Sequence, residues 1–181
     1  MEHSAQEHPV HERARPGGPL PRLVFERVGG DPVDVGGPRE RWTLLVVYRG
    51  RHCGRCKRYL NGLEAMKADW EAAGFDVVAV SADPAEKARA DVDEHGWSFA
   101  VCHGLDERAM RALSLHVSDP LDAGETDRRF AEPGTFCVRP DGSIQIMAIS
   151  NGPAARTDLA ELLDGMRFTI EHDKPARGTA G

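Results

Sequence analysis

Aromatic rings, cysteines and long apolar runs are all scarce in this sequence, and each scarcity excludes something. Aromatic residues make up 6% of the chain, too few for the stacked-ring platforms on which single-stranded nucleic acids lie. Acidic residues outnumber basic ones, 29 to 23, for a formal charge of −6; a nucleic-acid partner favours the opposite balance. No stretch approaches the roughly 18–20 consecutive apolar residues of a membrane helix, so no membrane partner is expected. Met1–Pro21 holds charges and histidines but no apolar run, unlike a secretory signal. Four cysteines in 181 residues are too few to staple a fold, and without an export signal the expected location is cytoplasmic. What remains is 40% hydrophobic and 29% charged, the composition of one globular domain with some surplus.

Residues 1–21 hold Pro9, Pro16, Pro19 and Pro21 among charged residues and glycine. That composition buries little apolar area against its ordering entropy and predicts a flexible extension. Residues 174–181 predict, on the same grounds, a tail loose beyond its first few residues, leaving a domain over 22–173. Within it, Leu23–Phe25 predicts a short strand, residues 29–38 a Gly/Pro-rich loop, and Trp42–Tyr48 a strand covered on both faces. Leu60, Leu63, Met66 and Trp70 share a helical face that Gly74 ends, and Phe75–Val80 is the next buried strand. Asp83-Pro84-Ala85-Glu86 predicts a helix start capped by Asp83 and running to about His95. A strand over Phe99–Cys102, a helix over Asp106–Leu115 and a mobile acidic loop over 118–132 follow. Thr135–Arg139 and Ser143–Ile149 flank Pro140-Asp141-Gly142 as a hairpin, and a helix from Thr157 to about Glu171 closes the domain. Strands alternating with helices put the chain in the α/β class, a central mixed sheet flanked by helices.

The informative stretch is Tyr48-Arg49-Gly50-Arg51-His52-Cys53-Gly54-Arg55-Cys56-Lys57-Arg58, between a buried strand and a helix. Cysteines two residues apart on a first helical turn are close enough to bridge. Unpaired N–H groups and the positive end of the helix dipole favour a thiolate on the first sulfur. Cys53, at the tip, is the expected nucleophile, and Cys56, one turn in, the shielded resolving thiol. Arg49, Arg51 and Arg55, with Lys57 and Arg58, crowd positive charge around them and would support the anion. Arg55 between the cysteines would favour the reduced pair, predicting a couple more oxidising than the roughly −270 mV of thioredoxin.

Other readings of the same residues carry less. Cys102 and Cys137 sit in apolar strand pieces and read as small core residues. A single C-x-x-C is half a zinc site, to be completed by Cys102, His103 or His95, but the second closely spaced ligand pair is missing. No other metal or cofactor is implied; the glycine doublets at 29–30 and 36–37 read as turns. Ser81, Asp83 and His103 have the residue types of a hydrolase triad without its G-x-S-x-G elbow. His3, His8 and His11 read as part of a polar tail.

From Arg41 to about Gly178 the chain resembles the thioredoxin-like superfamily, in particular the peroxiredoxin-like alkyl hydroperoxide reductase/thiol-specific antioxidant family. The resemblance is carried by Tyr48-Arg49-Gly50 leading into Cys53-x-x-Cys56, Val80-Ser81-Ala82-Asp83 and Glu132-Pro133-x-x-Phe136. Arg139-Pro140-Asp141-Gly142 and Pro175-Ala176-Arg177-Gly178 complete it. It implies a thioredoxin-like fold, a peroxidatic or exchange-active thiol at Cys53, a partner thiol at Cys56 and a cis proline at Pro133 shaping the substrate edge. The implied substrate is a hydroperoxide or a disulfide, and the implied reductant a cellular dithiol such as a thioredoxin. Several positions depart from the pattern. Gly50 and Val46 stand where peroxiredoxins carry a threonine or serine and a proline. His52 replaces the tryptophan that precedes the thioredoxin pair, Arg55 its intervening proline, and Val47 its buried acid. A thioredoxin-like or zinc-holding binding module without catalysis is the alternative of another class.

Overall fold

In the computed structural model, which describes residues 13–180, β-branched runs become strands and the 3.6-periodic segments become helices. The elements are β1 (Leu23–Arg27), β2 (Val33–Val35), β3 (Trp42–Val47), α1 (Gly54–Ala72), β4 (Phe75–Val80), α2 (Ala85–His95) and β5 (Ala100–His103). They continue as α3 (Glu107–Ala112), β6 (Val117–Ser118), β7 (Phe130–Ala131), β8 (Gly134–Val138), β9 (Ile144–Ile149) and α4 (Leu159–Glu171). A mixed sheet runs β2-β1-β5-β4-β3-β8-β9. β3 pairs parallel with β4 and antiparallel with β8, with Val47 opposite Gly134.

Both faces of the sheet are covered, which is why β3 and β4 read as nearly continuous apolar runs. Side chains alternate faces along each strand. Leu44 and Val46 therefore pack with Leu60, Leu63 and Trp70 of α1 and Leu162, Leu163 and Met166 of α4. Leu45 and Val47 turn the other way, toward Met110 of α3, Leu113 and Phe136. Cys56 is in line with Leu60 and Leu63 on the buried stripe of α1, so helical periodicity draws its sulfur into the core.

Four expectations are corrected. Residues 13–21 are docked: Ala14 and Leu20 are buried, and Gly17 and Leu20 donate backbone N–H groups to Ile144 and Gly142. The expected flexible extension thus does not reach residue 21, and His3, His8 and His11 lie outside the described residues. The expected 29–38 loop contains β2, held antiparallel to β1. The 118–132 segment is tied at both ends by the β6–β7 pair, with Phe130 and Thr126 buried. The expected loose tail is also engaged: the Lys174 carbonyl accepts from Arg139 and Gln145, and further on Thr179 lies against Gly17 and Gly178 lies beside Pro16.

Candidate active site

The strand that the sequence places before the cysteines delivers them to the carboxyl end of β3. The loop 48–52 then turns into α1, and Cys53 is the N-cap of that helix, with extended backbone angles. Its sulfur accepts the backbone N–H of Cys56 at 3.2 Å, one of the donors that a first helical turn leaves unpaired. Cys53 and Cys56 are joined as a disulfide, their Cα atoms 5.3 Å apart. Both cysteines are buried, Cys53 keeping 5% exposure and Cys56 none.

The loop ahead of Cys53 is pinned by a carboxylate that sequence reasoning assigned elsewhere. Pro84, not Asp83, is the N-cap of α2, and it makes no side-chain cap bond. Asp83 instead accepts the backbone N–H of Arg51. Its oxygens also occupy the space beside Gly50, whose φ is +127°. The expected capping role is overturned because a charge-assisted bond to a loop amide competes with a helix end that a neighbouring proline already starts.

The cations foreseen around the pair are largely committed to carboxylates. Arg49 lies 2.9 Å from Glu125 and 3.5 Å from Glu132, with its guanidinium over the Phe130 ring. Arg51 bonds the wholly buried Asp91 at 2.6 Å and Glu94 at 2.8 Å. Arg55 is exposed on the first turn of α1 and makes no ion pair among the described residues. None of the three hydrogen-bonds a cysteine sulfur among the described residues. Arg156 does: its Nη2 lies 3.0 Å from Sγ of Cys56. Sequence reasoning missed it because charge was weighed only near the cysteines. The available signal was a cation two residues ahead of Asp158, the cap of the last helix, whose start the topology returns to α1.

Pro133 is buried immediately before β8, and the Val47–Gly134 pairing puts it at the same end of the sheet as the Cys53 turn. No peptide bond among the described residues is cis, so the expected cis proline is corrected to trans. The carbonyl of Pro133 accepts from the N–H of Ser150, carrying the β8–β9 ladder one residue further. His52 packs against Phe130 with ring centroids 4.8 Å apart. Burial, and then the Arg49 charge, push its imidazole below the ordinary range.

The remaining thiols stand apart. Cys102 belongs to the core on the opposite face of the sheet from Cys53 and Cys56, which rules it out as a zinc ligand beside them. Burial pushes its thiol up to about 12 and raises that of Cys137 as well. Among the described residues the candidate three-ligand metal group is Asp91, Glu94 and His95. It contains neither cysteine, and the Arg51 guanidinium already sits on both of its carboxylates.

The model of the AhpC/TSA family matches residues 16–147. The chain belongs to the AhpC/TSA family. Membership makes it a thiol-dependent oxidoreductase with a thioredoxin-like α/β fold. A Mycobacterium tuberculosis H37Rv protein named as a peroxiredoxin, Rv2521, is 24% identical over 134 residues, covering 74% of this chain and 84% of its own length. Among solved structures, a peroxiredoxin-like protein from Aquifex aeolicus superposes with a TM-score of 0.73 at 13% identity, covering 86% of this chain and 88% of that one. Enterococcus faecalis AhpC does so with a TM-score of 0.69 at 18% identity, covering 89% and 97%. No helix among the described residues is long and apolar enough to cross a membrane.

Proposed function

We propose that this family member reduces hydroperoxides with Cys53 as the attacking thiolate and Cys56 as the resolving thiol. The observation that carries the reading is the position of Cys53: its sulfur caps α1, accepts the Cys56 N–H and is within bonding reach of Cys56. A helix N-terminus lowers a thiol pKa and so supplies the nucleophile at neutral pH. The thiolate attacks the terminal oxygen of the hydroperoxide. The O–O bond breaks, and the alkoxide (hydroxide, from hydrogen peroxide) leaves and takes up a proton. Cys53 becomes a sulfenic acid. Cys56 thiolate then displaces hydroxide from that sulfur, closing the disulfide, and an external dithiol of the thioredoxin type reopens it.

Arg55 lies between the two cysteines, is exposed and, like Arg58, makes no ion pair among the described residues, and in this reading it supports the Cys53 anion from solvent. Arg49 and Arg51 act on the loop that carries Cys53, through their carboxylate partners. Pro133 bounds the substrate edge: it has no N–H, and its carbonyl is engaged by Ser150.

One observation favours a second reading, general thiol–disulfide exchange. Gly50 carries no hydroxyl to hold a peroxide, and Asp83 fills the space where a side chain would go. The two readings separate in one experiment. Reduced protein is given one equivalent of hydrogen peroxide, or of a small aliphatic disulfide, and thiol loss is followed with time. Peroxidase chemistry requires rapid loss of two thiols with peroxide, a trappable sulfenic acid in Cys56→Ser, and neither in Cys53→Ser. Peroxide consumption no faster than by free cysteine, beside rapid turnover of the disulfide, decides for exchange.

A further inference from the structure

Cys56 has no exposed surface and packs within the core formed by α1, β3, β8 and α4. Burial alone drives a thiol toward its neutral form, as it does Cys137. From β3 this core receives Leu44 and Val46, neither of which can exchange a proton with the sulfur. A resolving sulfur must nevertheless carry negative charge twice in each cycle, once when it attacks and once when it leaves.

The structure assigns that role to Arg156: it is the positioning residue that stabilises the Cys56 thiolate, as attacking sulfur when the disulfide closes and as leaving sulfur when a dithiol opens it. Its Nη2 is 3.0 Å from Sγ of Cys56, while its Cζ lies 4.6 Å from the centroid of the Tyr59 ring. Tyr59 is itself fixed, its hydroxyl donating to the Thr157 carbonyl at 3.0 Å. Asp158 caps α4 one residue further on. The guanidinium is thus held on both sides, by a ring from α1 and by the anchored start of α4. Its Nε and Nη1 are buried without hydrogen-bond partners, so Cys56 is the hydrogen-bond acceptor this cation has. Burial lowers the Arg156 pKa to about 10, which leaves it protonated at neutral pH.

The charged groups around this pair act in known directions. The carboxylate of Glu132 favours the Arg156 cation and the Arg49 guanidinium opposes it. The Tyr59 phenol, raised by burial, stays neutral. Cys137 of β8 stays a thiol, and Cys53, across the disulfide, completes the set.

In the closing step the Cys56 electron pair forms the S–S bond, the Cys53 S–O bond breaks, and hydroxide leaves to become water. In the opening step an incoming thiolate attacks Sγ of Cys53, and the S–S electron pair passes to Cys56, where Arg156 faces it. The second thiolate of the dithiol then displaces Cys53, and the dithiol departs as a disulfide. The closing half rests on the peroxidase reading; the opening half holds for exchange chemistry as well.

The test isolates Cys56 in Cys53→Ser and follows the ultraviolet absorbance of the thiolate with pH. Cys102 and Cys137 ionise too high to interfere. The expected midpoint lies below the ~8.5 of free cysteine. Arg156→Met in that background should cut the thiolate fraction at neutral pH by about tenfold or more, the effect of losing an opposite charge at contact distance. Arg156→Gln, which keeps donors without charge, should match Met, and Arg156→Lys should restore part of the fraction. In the chain with both cysteines, Arg156→Gln should slow reopening of the disulfide by a small dithiol about as much. A midpoint at or above that of free cysteine, or one unmoved in folded Gln and Lys variants, overturns the assignment. The titration needs no peroxide, so failure to reduce peroxide with a shifted Cys56 would sink the peroxidase reading alone.

Discussion

Asp83 accepts the backbone N–H of Arg51 at 2.6 Å, and this one bond dictates what can stand at position 50. A Cβ built on Gly50 would lie 2.6 Å from Oδ2 of Asp83, on a backbone with φ of +127°. Only glycine adopts such a conformation without strain, and the carboxylate cannot move away without releasing the loop. Gly50→Ala and Gly50→Thr should each lower unfolding free energy by about 1–3 kcal/mol, read by urea denaturation. Gly50→Thr introduces the hydroxyl residue that peroxiredoxins carry there, yet it should slow the reaction with peroxide. A faster reaction in that variant would show that the loop accommodates the side chain.

Asp91 offers a test of buried charge. Its side chain has no exposure, and Arg51 contacts it at 2.6 Å with Lys57 at 3.9 Å. Desolvation raises its carboxyl pKa, against the lowering effect of Arg51. Because the folded value is raised, the stability linked to Asp91 is present below its unfolded value of ~3.9 and lost as pH rises through the folded one. Arg51→Met should therefore cost about 1–3 kcal/mol near neutrality, discounted for the part-exposed arginine, and much less in acid. Denaturation curves at both pH values check this; an equal loss at the two would contradict it.

His52 works in the opposite sense. Both ring nitrogens are buried without a hydrogen-bond partner, and the folded pKa is lowered. Its contribution is present above the unfolded value of ~6.5 and lost as pH falls through the lower folded one. Protein carrying His52→Phe, which keeps a ring against Phe130, should lose less stability than the native chain on acidification through that window. Thermal unfolding followed against pH gives the comparison.

What could be read in advance, and what could not, follows from the range of the interactions. β3, β4 and the α1 stripe were legible because burial on two faces, or on one helical face, writes itself as local periodicity. Cys53 and Cys56 were legible for the same reason, being close in sequence and at a strand–helix junction. β2 was hidden, since three residues between glycine doublets carry almost no period. Asp83 was misassigned because a plausible local partner was overruled by a loop amide 32 positions away. Arg156 lies 100 positions from Cys56, so no window of the sequence joins them.

The segment before β1 gives a further prediction. Leu20 is 2% exposed and packs in the core facing α3, although its proline-rich neighbours suggested a loose strand of chain. Leu20→Ala should cost about 2–4 kcal/mol, and removal of residues 1–21 more, both visible as a lower unfolding midpoint. An unchanged midpoint after truncation would mean that the segment is an ornament rather than part of the core.

The burial of Cys102 and Cys137 has a consequence for an oxidative burst. With both sulfurs sealed in the interior and their thiols raised far above neutrality, excess oxidant finds only one pair to act on. On the proposed reading, the thiols of each molecule then take up a single two-electron oxidation, the closing of the Cys53–Cys56 disulfide, before a dithiol must reset them. Disulfide links between copies through Cys102 or Cys137 are accordingly not expected, because both sulfurs are buried.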